Sequence, residues 1–115
     1  MPPNSWFDAK VRTLIIFDDV DTETWKKADM HRFSDLCKHE SSHMNVSVLF
    51  LCHQFTDCPP VLRRCANLFV CYRTNDTDTL HGMSRKAGLK KSTFLGIFDK
   101  YVKDDKDYVM VDLTQ

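Results

Sequence analysis

Residues 13–19, Thr-Leu-Ile-Ile-Phe-Asp-Asp, drive four apolar side chains directly into two adjacent carboxylates. The apolar run does not alternate with polar residues, so it predicts a strand covered on both faces, as in a parallel sheet. Residues 45–51 (Asn-Val-Ser-Val-Leu-Phe-Leu) and 67–72 (Asn-Leu-Phe-Val-Cys-Tyr) are of the same kind, rich in β-branched and aromatic side chains. Residues 108–113, Tyr-Val-Met-Val-Asp-Leu, make a fourth.

Helical signals fill the intervals. Asp21 or Thr22 caps a helix running to about His39, with Trp25, Ala28, Phe33, Leu36 and Cys37 on one face. Pro59-Pro60 opens a short helical turn filled by residues 61–66. Asp76 caps a helix carrying Leu80, Met83 and Ala87, and Gly88 stops it. Ser92 caps another, whose Phe94, Ile97, Phe98, Tyr101 and Val102 follow the spacing of a core-facing stripe. The order β-α-β-α-β-α-α-β predicts an α/β fold with a mostly parallel sheet flanked by helices. At 115 residues, without repeats or a linker, the chain reads as a single domain over residues 1–115.

Ligands of parallel α/β sheets gather at the carboxyl ends of the strands. Two buried carboxylates at such an end cost several kcal/mol unless something compensates them. The bland solution is that they cap the next helix. The chemical one is a Walker B strand, in which Asp18 holds Mg²⁺ through water and Asp19 orients the attacking water. The next strand ends in His53-Gln54, and if the two strands are neighbours Gln54 projects toward the same water as a nucleotide sensor. Arg63 and Arg64 follow on the short helix and suit stabilisation of transferring phosphate charge. Arg73, after the third strand, is a weaker candidate of the same type.

Other constellations lead nowhere. Ser42 and His43 are adjacent, and neighbours in the chain rarely face each other as nucleophile and base. Cys52, His53 and Cys58 match no zinc spacing. The five cysteines are odd in number and lack a CxxC pair, which fits a reducing compartment, with Cys52 and Cys71 packing as small hydrophobes. Sixteen basic residues balance sixteen acidic ones, so net charge attracts neither nucleic acid nor membrane. Residues 45–103 nonetheless hold nine Lys or Arg against four Asp. No apolar stretch is long enough for a membrane span, and the polar start is no signal peptide, so a soluble intracellular protein is expected.

A phosphate-binding loop, Gly-x-x-x-x-Gly-Lys-[Ser/Thr], is missing. The three glycines are Gly82, Gly88 and Gly96, and the nearest imitation, before Lys91-Ser92, has Arg85 and Lys90 at the glycine positions.

The segments Leu14-Ile15-Ile16-Phe17-Asp18-Asp19-Val20 and Ser42-His43-Met44-Asn45-Val46-Ser47-Val48, with the strand before Gln54, the Pro-Pro-x-x-Arg-Arg element and Asn67-Leu68-Phe69-Val70, carry a family likeness. In order and over about residues 13–113, they resemble the DNA-packaging ATPases of the FtsK–HerA superfamily. Within it, the poxvirus-type and Maverick/Polinton-type enzymes are the most similar. The resemblance implies the second part of a P-loop NTPase core that, with ATP and Mg²⁺, moves double-stranded DNA as a homo-oligomeric ring in host nucleus, cytoplasm or virion. It assigns Asp18 to Mg²⁺, Asp19 to catalysis and Gln54 to sensing, and matches His43 and Asn45 to the loop before the sensor strand. An arginine common in that loop is absent, its places being held by Ser42 and Met44.

Three functions compete on this basis. The first is a packaging-ATPase segment that does not turn over ATP alone. The second is a non-enzymatic module that joins ATPase subunits or binds DNA through Arg63, Arg64, Arg85, Lys86, Lys90 and Lys91. The third, a free-standing Mg²⁺-dependent phosphohydrolase, lacks the further acids a metal site needs.

Overall fold

The computed structural model describes residues 1–114. They divide into two compact units, one formed by Met1–His53 and Asp57–Cys65, the other by Gln54–Thr56 and the chain from Ala66 onward.

In the first unit, strand β1 (Thr13–Asp18) pairs in parallel with β2 (Val46–Leu51), Thr13 opposite Val46 and Asp18 opposite Leu51. The crossover is helical. Asp21 caps a 3-10 turn over Thr22–Thr24, its side chain accepting from the Glu23 N–H, and helix α1 follows over Lys27–Asp35. The expected single helix therefore starts later than its sequence cap. It continues through a π turn, Leu36–Glu40, into the short helix α2, Ser41–His43. Phe33 and Leu36 are fully buried. The Phe33 ring meets Phe17 edge-on at 5.1 Å, Trp25 at 5.0 Å and Phe50 at 6.0 Å, which seats α1 on one face of the strand pair.

The other face of that pair is open. Leu14 is 59% exposed, Ile16 54%, Leu49 44% and Leu51 43%. The expectation of strands covered on both sides is corrected: burial alternates along β1 and β2. An apolar run records which residues can be buried, and a neighbouring element decides which are.

Arg32 on α1 faces Glu40 across the π turn at 2.8 Å, and its Nε donates to the Pro2 carbonyl at 3.1 Å. This tie brings the N-terminal segment to α1 at Pro2, and Phe7 of that segment is buried. Helix α3, Pro60–Cys65, buries Val61 and Leu62 in the same unit.

In the second unit β3 (Leu68–Tyr72) pairs antiparallel with β4 (Tyr108–Asp112), Leu68 opposite Asp112. Between them lie α4 (Thr77–Ala87) and α5 (Lys91–Tyr101). Asp76 caps α4 through the Thr79 N–H, and Gly88 ends it in left-handed backbone at φ 70°, as the sequence predicts. The cap of α5 is Lys90 rather than Ser92. Cys71, Leu80, Met83, Phe94, Phe98, Val102 and Val111 form the core.

The expected mostly parallel sheet is corrected as well. Among the described residues there are two two-stranded sheets, one parallel and one antiparallel. The number of helices between strands explains the difference. One helical return, as between β1 and β2, restores the strand direction, whereas two returns, α4 and α5, reverse it.

Candidate functional site

The tip of β1 is built by backbone before any side chain acts. Asp18 is the last strand residue, exposed on the open face with Ile16. The Asp19 N–H donates to the Leu51 carbonyl at 3.1 Å, which ties the end of β1 to the end of β2. Asp19 then turns into left-handed backbone, φ 53°, a conformation that Asp tolerates better than most residues. The turn lifts its carboxylate off the strand, where it is 71% exposed.

His53 reaches that carboxylate. Its Nε2 lies 3.2 Å from Asp19 Oδ1, with the imidazole itself 82% exposed. A carboxylate oxygen accepts hydrogen bonds, so an Nε2–H is the donor this contact suits. Exposed pairs contribute about 0–1 kcal/mol to stability, so folding does not need this contact.

The sequence-predicted residues are distributed as follows. Asp18 and Asp19 stand together at the end of β1, with His53 joined to Asp19. Gln54, the expected sensor, is exposed and belongs to the second unit. Arg63 and Arg64 lie in the last turn of α3, Arg64 exposed and Arg63 half-buried. Arg73 donates to the Lys103 carbonyl at 3.4 Å and lies 3.9 Å from Asp105, so its charge is engaged within the second unit. His43 is exposed at the end of α2, and Asn45 takes left-handed backbone, φ 56°, with its carbonyl accepting from the Thr13 N–H. Arg85 and Lys86 close α4, while Lys90 and Lys91 open α5, around the Gly88 stop.

His53 is the side chain beside Asp19 to which no sequence pattern assigns a role there. A strand ending on Leu51, then Cys52 and two polar residues, does not say which side chain turns toward β1. The signal that separates them is register, and register exists only once the strands are paired.

The cysteines carry no disulfide, and all five are free. Burial, with a smaller contribution from Cys65, pushes the Cys37 thiol up to about 12. Burial also pushes Cys71 up to about 11. Cys71 packs as the small hydrophobe expected of it, whereas Cys52 is exposed and does not. Among the described residues no three His, Cys, Asp or Glu side chains gather as a metal cage, and no helix is long and apolar enough to cross a membrane.

No curated protein and no solved structure matches the chain. One family model does, that of the Poxvirus A32 protein, over residues 5–112. The match takes in both acids at the tip of β1, all four strands and every helix between them, and the chain belongs to the Poxvirus A32 protein family.

Proposed function

We propose that this chain is the Walker B and sensor segment of a viral-type DNA-packaging ATPase of the FtsK–HerA superfamily, and that it does not turn over ATP by itself. The observation that carries the reading is the family match together with two acids at the carboxyl end of a strand in a parallel pair. Ligands of such sheets sit beyond the strands' carboxyl ends, so the acids are where a nucleotide would be met.

Asp18 would hold Mg²⁺. The donor set suits that ion: Mg²⁺ takes oxygen ligands, keeps several waters and needs only one or two carboxylates beside the phosphates. The absence of a three-residue cage among the described residues is compatible with this, and the bound ion would neutralise phosphate charge. Asp19 is the acid that orients the attacking water, on a backbone turn that presents its carboxylate to solvent. A polar group just past β2 senses the nucleotide. Gln54 is the residue the resemblance assigns, and His53 is the one that touches Asp19. Arg63 and Arg64 on α3 are the candidates for stabilising phosphate charge. Double-stranded DNA and further ATPase subunits in a ring are the partners this reading requires.

The purified chain is expected to show no Mg²⁺-dependent ATP hydrolysis above background. Joined to an upstream segment bearing a phosphate loop, it should hydrolyse ATP. Asp19→Asn should then stop hydrolysis while leaving nucleotide binding largely intact. Robust turnover by the chain alone, abolished by Asp19→Asn, would contradict the proposal.

A second reading, DNA binding without hydrolysis, is favoured by the placement of Arg85, Lys86, Lys90 and Lys91 on either side of the Gly88 stop, where α4 ends and α5 begins. Phosphate contacts make affinity fall steeply with salt. Binding to duplex DNA that is absent, or indifferent to salt, removes this reading.

A further inference from the structure

We infer that His53 is the positioning residue for the Asp19 carboxylate. The inference rests on the reading of Asp19 as the hydrolytic acid and goes beyond it in naming the side chain that aims it.

Three observations converge on His53. The backbone of Asp19 is held by the hydrogen bond from its N–H to the Leu51 carbonyl and takes a left-handed φ. Its carboxylate is left to rotate, and the side-chain partner it has within the first unit is His53, through Nε2 at 3.2 Å. His53 in turn follows β2 by one residue beyond Cys52, so the register that sets Asp18 opposite Leu51 also delivers the imidazole to the tip of β1. The pair is too exposed to matter much for folding, and what its geometry does is bias the orientation of the carboxylate.

The chemistry this permits is specific. With Oδ1 against His53 Nε2, the second oxygen, Oδ2, is the one left to accept a hydrogen bond from water. A carboxylate biased toward one orientation is better prepared for a near-attack geometry than one that spins, and an exposed pair of this kind supplies a bias of up to about fivefold. A glutamine at position 53 could donate an amide N–H to the same oxygen, and an alanine could not.

The test uses the 115-residue chain without nucleotide. Carbon-13 NMR of the side-chain carboxyls is recorded for the native chain, His53→Ala, His53→Gln and Gln54→Ala, with circular dichroism as the check that each variant is folded. His53→Ala should move the Asp19 carboxyl resonance by more than its linewidth. His53→Gln should restore it in part, and Gln54→Ala should leave it in place. The reciprocal variant, Asp19→Asn, should move the His53 ring nitrogens. An Asp19 resonance that stays put in His53→Ala, or follows Gln54→Ala instead, overturns the inference. These readouts need no ATP, so failure of the phosphate-loop fusion to hydrolyse ATP would strike the proposed function and leave the carboxyl result standing.

Discussion

Asp19 sits at a left-handed backbone position that suits only a few side chains, and this makes its substitutions interpretable. Asn tolerates that conformation, so Asp19→Asn should leave the urea midpoint nearly unchanged, which allows any functional loss to be assigned to the carboxylate. A β-branched residue there is strained, and Asp19→Val should lower stability by about 1–3 kcal/mol in the same measurement. The buried thiols give a second expectation. Cys37 and Cys71 hold their protons more tightly folded than unfolded, with folded values of about 12 and about 11 against an ordinary 9.0. A raised value stabilises fully below the unfolded one and is lost as pH climbs through the folded one. Stability should therefore fall from about pH 9 upward, and Cys71→Ala should flatten that decline in urea titrations at stepped pH. Residue types made Asp18 and Asp19 legible as candidates from the start. The partner of Asp19 was not legible, because His53 and Gln54 are both polar and adjacent.

At the scale of the element, α4 shows how much local sequence can settle. Its cap, its apolar stripe and its stop all stand where Asp76, Leu80, Met83 and Gly88 indicate. Asp76→Ala removes the bond from the Thr79 N–H and should cost about 1 kcal/mol, read by thermal denaturation. Gly82 in the same helix has a reason invisible in the sequence: a Cβ there would stand 2.5 Å from the Phe55 ring. The Phe55 N–H is held by Thr79 Oγ1 at 3.0 Å and its ring lies 6.1 Å from that of Phe69, which limits how far the ring can withdraw. Gly82→Ala gains about 1 kcal/mol of helix propensity but overpacks the contact by about 1–3 kcal/mol. A net loss of stability is expected. Strand β1 reverses the lesson. Its run suggested two covered faces, yet Ile16→Thr on the open face should change stability by about 0.5 kcal/mol or less. Phe17→Ala, on the face under Phe33, should cost about 3–5 kcal/mol.

Across the whole molecule, zero net charge and a sequence pI of about 6.9 act together with two half-covered sheets. Leu68, Val70, Tyr72, Tyr108 and Met110 are exposed along β3 and β4, as Leu14, Ile16, Leu49 and Leu51 are along β1 and β2. A protein without net charge has little self-repulsion to oppose association. Turbidity should be greatest near pH 7 and fall on either side, and polar replacement of Ile16 and Leu49 together should reduce it. The identity and order of the strands, the helix between β1 and β2, and the acids that end β1 were all determined by sequence, because they depend on side-chain chemistry within a few residues. The bare faces and the meeting of His53 with Asp19 were decided by tertiary structure alone. Each depends on how distant segments are returned and registered against one another, and no short stretch of chain contains that information.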